Sequence, residues 1–99
     1  MEKRFTLTEN AAEQRYEFDL GDDRAFVEYV REAELVVLTH TYVPPRYEGQ
    51  GIGKRLVEAV LGEIRRKKLR IVPQCAFIAQ YIYRHPEWEE IVLKEMPAK

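Results

Sequence analysis

The 99-residue chain predicts an α/β fold, an α+β arrangement on a mixed sheet in the order β-β-β-β-α-β-α. Three features lead there. Apolar and charged residues alternate with period two up to Val43, broken by tight-turn signals. One long apolar stripe at helical spacing starts at Ile52. A short apolar strand and a second helical segment follow, so strands come first and an α/β crossover second.

Residues 4–8 are the expected first strand. In residues 15–20, Tyr16, Phe18 and Leu20 alternate with charged residues, as a half-buried strand requires. Gly21-Asp22-Asp23 signals a turn. Residues 24–31 are β-rich, and Glu32-Ala33-Glu34 reverses the chain again. Leu35 to Val43 is the strongest strand, apolar through Leu38 and polar beyond. Regular alternation would put His40 on one face with Val36, Leu38 and Tyr42. Pro44-Pro45 ends this strand, because proline cannot extend the ladder.

Ile52, Leu56, Val60 and Ile64 recur every fourth residue, and Val57 and Leu61 widen the stripe. Glu63 and Lys67 form a favourable i,i+4 pair on the outer surface. Leu69 to Val72 reads as a short strand ended by Pro73, reached by a right-handed crossover. Ala76 to Arg84 is helical in composition, and His85-Pro86 ends it. Trp88, Ile91 and Val92 anchor the tail.

Residues 1–99 read as a single domain. Sixteen basic and 17 acidic residues give a charge of −1, which argues against nucleic-acid and membrane-surface partners. One cysteine excludes an internal disulfide and a multi-cysteine zinc site. Two histidines without HExxH spacing argue against a metal, and the absence of serine excludes a serine hydrolase. Met1-Glu2-Lys3-Arg4 leads into no apolar segment, so the expectation is a cytoplasmic protein without a signal peptide.

Gly49-Gln50-Gly51-Ile52-Gly53 lies between a strand and the long helix. The first helical amides lack intrahelical acceptors, and the helix dipole adds positive charge there. No Ser, Thr or Asp stands ready as N-cap, so a bound anion can take that role. The alternative is that the glycines only make a tight connection. A Walker loop does not fit, because three residues separate Gly49 from Gly53 and Arg55 stands where a hydroxyl is needed. The dinucleotide fingerprint fails on spacing and context.

The segment from Val43 to Leu56 resembles the acyl-CoA loop of the GNAT superfamily of N-acetyltransferases, Gln/Arg-x-x-Gly-x-Gly/Ala. In one register Gly51 and Gly53 take the glycine positions and Glu48 replaces Gln/Arg. In the other, Arg46, Gly49 and Gly51 match but the helix start shifts by two. The first is favoured, because Ile52 then opens the apolar stripe. His40-Thr41-x-Val43-Pro44, Val72-Pro73-x-Cys75-x-Phe77 and Tyr81-x-x-x-His85-Pro86-Glu87-Trp88 add to the likeness. Together they resemble the short, single-domain GCN-related (YjdJ-like) branch over residues 15–92.

The resemblance implies a minimal acyl-CoA N-acyltransferase fold, splayed between the fourth and fifth strands, that transfers acetyl from acetyl-CoA to an amine. Pyrophosphate would sit on the amides of Gly49, Gln50, Gly51, Ile52, Gly53 and Lys54. The pantetheine arm would pair with Thr41, Tyr42 and Val43. Arg84 and His85 would meet the adenine or 3′-phosphate. Larger relatives insert two helices near the acceptor site. Only Glu9 to Glu13 is available here, so the acceptor side should be open and suit a protein-borne amine, without excluding a small molecule.

Acetyl transfer needs a base for the amine, polarisation of the carbonyl and a proton for the departing thiolate. His40 is the candidate base, since imidazole titrates near neutrality; the alternative is a hydrogen-bonded histidine without a chemical role. Cys75 opens the second helix and is either an acetyl acceptor or a buried wall residue. The resemblance implies a tyrosine of the last helix as the acid, and of Tyr81 and Tyr83 the former fits by its spacing to His85-Pro86; the alternative is a packed aromatic. A non-catalytic CoA-binding sensor or interaction module is the other functional reading.

Overall fold

The computed structural model describes residues 5–94. Five strands form one sheet in chain order: β1 (Leu7–Asn10), β2 (Arg15–Asp19), β3 (Arg24–Glu32), β4 (Leu35–Tyr42) and β5 (Arg70–Pro73). The first three junctions are antiparallel and β4–β5 is parallel, which makes the sheet mixed. Helix α1 (Ile52–Arg66) makes the crossover, and α2 (Ala76–Arg84) follows β5. A 3₁₀ turn, Pro86–Ile91, buries Trp88 and Ile91. Val92 then bridges to Ile71 at the sheet edge.

The helices pack on one face of the sheet. Tyr16, Phe18, Val27, Val36, Leu38 and Ile71 supply that face, and all are buried. The whole predicted stripe of α1 is buried against it. Helix α1 packs on β1 to β3, α2 on β4 and β5, and the two helices touch each other. The expected Glu63–Lys67 pair forms at 3.3 Å, with Arg66 sharing the carboxylate at 2.8 Å. Among the described residues, no helix is long and apolar enough to cross a membrane.

Three expectations need correction. The first strand spans 7–10 rather than 4–8, and residue 4 lies outside the described residues. Its register puts Leu7 opposite Phe18 and Asn10 opposite Arg15, across a turn in which Gln14 has φ 56°. Pro73 ends the fifth strand from within, as its last paired residue, opposite Leu38. The third correction concerns the faces of β4.

Tyr29 pairs with Leu38, but Glu28 pairs with His40. Thr39 is therefore an extra residue, a bulge held by its hydroxyl on the Glu28 carbonyl at 3.1 Å. A one-residue slip reverses every side chain beyond it. Thr41, opposite buried Val27, continues the core face begun by Val36 and Leu38. His40 and Tyr42, opposite Glu28 and Phe26, point to the other face. His40 shares a face with Tyr42, as expected, but not with Val36 and Leu38.

Candidate functional site

The β4–β5 pairing stops at Leu38. The Leu38 carbonyl accepts from both Gln74 N–H and Cys75 N–H at 3.0 Å, which turns the chain out of β5 and into α2. Among the described residues, β4 runs on to Tyr42 with no strand on that side. The resulting V opens into a cleft of about 590 Å³. His40, Thr41, Tyr42 and Val43 form one wall. Gly49, Gly51, Ile52, Gly53 and Lys54 form the facing rim.

That rim is the start of α1. Gly51 is the N-cap, with φ 77° and ψ 10°, and among the described residues no side chain caps the helix. Only glycine adopts this left-handed conformation without strain. The first intrahelical bond runs from Arg55 N–H to the Gly51 carbonyl at 3.1 Å, so the amides of Ile52, Gly53 and Lys54 lie ahead of it. Gly53 has a second task. A Cβ there would meet Phe77 Cζ at 3.1 Å and Val43 Cγ2 at 3.5 Å. The missing side chain lets the half-exposed Phe77 ring rest on α1 and close the cleft from the α2 side.

The loop before α1 is tied to the β2–β3 turn. Tyr47 donates to Asp22 at 2.7 Å, and Arg46 pairs with the same carboxylate at 2.6 Å. That hydrogen bond to a carboxylate raises the pKa of the Tyr47 phenol. Gln50, an expected phosphate contact, does not line the cleft. Its side-chain carboxamide donates to the Arg46 carbonyl at 3.3 Å and stiffens the loop.

Tyr81, Arg84 and His85 line a smaller depression of about 180 Å³, which shares Lys54 and Phe77 with the cleft. Tyr81 is buried and stacks on His85, with ring centroids 4.2 Å apart. Burial first, and then the charge of Glu58, pushes its phenol pKa upward, so it keeps its proton at neutral pH. His85 Nδ1 lies 2.9 Å from the Tyr81 carbonyl, an acceptor only, so this nitrogen carries the proton.

Cys75 lines neither space. It is half-buried at the N-cap of α2, with its sulfur 3.3 Å from Thr41 Oγ1. It therefore sits behind the β4 wall, joined to the cleft through Thr41. Pro45, Tyr47, Glu48 and Phe77 line the cleft although sequence reasoning did not select them as site residues. Phe77 stood in the motif already quoted. The other three flank the glycines, and only the loop's tie to Asp22 brings them to the cleft. Among the described residues, no group of three or more metal-ligating side chains occurs.

A sheet that splays at a bulged fourth strand, facing a helix capped by glycine alone, defines the GNAT α/β fold. The sequence model of the GCN5-related N-acetyltransferase family matches residues 15–91, and the chain belongs to that family. It is 38% identical over 66 residues to Protein NATD1 of Gallus gallus and of Homo sapiens. That match covers 65% of this chain and 59% of the chicken protein, so it spans little more than half of the relative's length. The NMR solution structure of a GCN5-like protein from Staphylococcus aureus superposes with a TM-score of 0.68 at 22% identity. It covers 92% of this chain and 90% of that one, a likeness of fold.

Proposed function

We propose that the protein is an acetyl-CoA-dependent N-acetyltransferase with an open acceptor side, acting on an amine carried by a polypeptide. The observation that carries this reading is the pairing of an uncapped α1 N-terminus with an unpaired β4 edge across one cleft. The first is a ready anion site, and the second offers backbone partners to an amide-bearing arm. These residues suit the co-substrate: Gly51, Ile52, Gly53 and Lys54 for pyrophosphate, Thr41 to Val43 for pantetheine and Arg84 for the adenosine phosphate, while His85, stacked on Tyr81, belongs with the thiolate end.

The reaction forms an amide C–N bond, breaks the thioester C–S bond, and moves the amine's proton in net terms to the CoA sulfur. His40 borders the cleft and faces the uncovered side of the sheet, where it can take that proton from an approaching amine. Tyr81, which keeps its proton at neutral pH, is the donor to the thiolate. Cys75 supports the wall through Thr41. In this reading the amine attacks directly, without an acetyl-cysteine intermediate.

One observation favours a second reading, a CoA-binding module without catalysis. Glu48 puts a carboxylate in the cleft beside the glycines, where it opposes phosphate. The test is release of CoA thiol from acetyl-CoA in the presence of lysine peptides and small amines, with mass spectrometry of the protein. Amine-dependent release without an adduct on Cys75 is expected. Tight acetyl-CoA binding with no turnover would support the sensor instead. A Cys75→Ala variant that loses turnover would restore the covalent route.

A further inference from the structure

The helices leave one face of the sheet uncovered. On that face strand pairing sets Val30 opposite Val37 and Val37 beside Val72, an apolar row across β3, β4 and β5. Val30 is 46% exposed, and the other two are half-buried. A contiguous apolar patch on a soluble domain marks an interaction surface more often than an isolated valine does. The row ends one residue short of the Thr39 bulge, where β4 and β5 part. It therefore leads to the rear of the cleft, where His40 lies on the same face.

Acidic groups flank the row. Glu28 and Glu32 stand two residues either side of Val30 on β3, so both share its face. Glu28 lies between Arg15 on β2 and His40 on β4. The Arg15 guanidinium, however, is bonded to Glu17 at 2.6 Å. Among the described residues, neither Glu28 nor Glu32 has an ion-pair partner within 4 Å.

We infer that this face is the docking surface for the acceptor, and that the acceptor is a lysine flanked by apolar residues on another polypeptide. The inference rests on the acetyltransferase reading above and names its substrate class. Small-molecule sites are concave and enclose their ligand, whereas this surface is a pleated sheet without walls. An apolar segment covers the valine row. The lysine ammonium complements Glu28, which lies directly across from His40 and draws it toward the splay, whereas Glu32, opposite Leu35, stands at the far end of the row.

The test compares two heptapeptide mixtures with a central lysine, one flanked by Val, Leu and Ile, the other by Gly and Ser. Wild-type protein should acetylate the apolar-flanked mixture with a kcat/KM about tenfold higher. Val30→Lys, at an exposed position that tolerates charge, should erase that preference and leave the KM for acetyl-CoA unchanged. Glu28→Gln should raise the KM for both mixtures. Equal rates on the two mixtures, or a Val30→Lys protein with the wild-type preference, would overturn the inference. So would acetylation of small amines alone, which leaves the acetyltransferase reading intact. Failure to bind acetyl-CoA would bring down both. Sedimentation adds one more arm: a dimer that Val30→Lys dissociates would assign the face to a second copy and overturn the inference.

Discussion

β4 has two halves that behave differently. From Leu35 to Leu38 it is paired on both sides, and Val36 and Leu38 are sealed in the core. From Thr39 to Tyr42 it keeps only its β3 neighbour, and its residues are half-buried or exposed. The divide is a single carbonyl, Leu38, which accepts the last two N–H groups before α2. The comparison teaches how a small domain makes a cleft without extra elements. It stops one strand pair early and spends one residue on a bulge. The first half holds the fold together, and the second is free to hold a ligand.

The largest effect should come from the paired half. Leu38 is fully buried between β4, β5 and α2, so Leu38→Ala should cost about 2–5 kcal/mol. Urea unfolding measures this, and a loss under 1 kcal/mol would mean that the half does not carry the core. The next effect tests the rim of the cleft. Asn and Asp tolerate a left-handed backbone better than other side chains. Gly51→Asn and Gly51→Asp should therefore fold alike. The aspartate should bind acetyl-CoA about tenfold more weakly than the asparagine, a difference of about 1.4 kcal/mol. Equal affinities would mean that no phosphate sits there.

A third prediction concerns the two faces of the sheet. Glu17 is buried on the face without helices, which pushes its pKa up. Hydrogen bonds from Arg15 and Asn10, with the charges of Arg15 and Arg24, outweigh that and hold it below the ordinary carboxylate range. A depressed folded pKa gives stability that is present above the unfolded value and lost as pH falls through the folded one. Glu17→Gln should flatten the acid side of the stability–pH curve, and an unchanged slope would contradict the assignment. The smallest effect belongs to the open half of β4. Thr41→Val removes one half-buried hydroxyl contact to Cys75 and should change stability by no more than about 1 kcal/mol. A larger loss would make the second half of β4 part of the core.

Much of this division was legible in the sequence. The α1 stripe gave its start at Ile52, and His85-Pro86 gave the end of α2, because both signals are local. The polar turn of β4 after Leu38 pointed to its exposed half. The bulge was hidden, since Thr39-His40-Thr41-Tyr42 alternates normally and only pairing with β3 shows which residue is extra. Phe77 was hidden as a wall, because its place depends on meeting Gly53, 24 positions earlier in the chain. The place of the Gln50 side chain was hidden for a related reason: nothing local shows that its carboxamide donates to the Arg46 carbonyl.

The central claim is that the open half of β4 and the uncapped end of α1 form one acyl-CoA site. Calorimetric titration with acetyl-CoA, CoA and dephospho-CoA tests it most directly. The account predicts micromolar binding of acetyl-CoA, on the order of −8 kcal/mol, weakened when the 3′-phosphate is removed. No heat of binding up to millimolar ligand would contradict it, and the glycines would then serve only as the turn into α1.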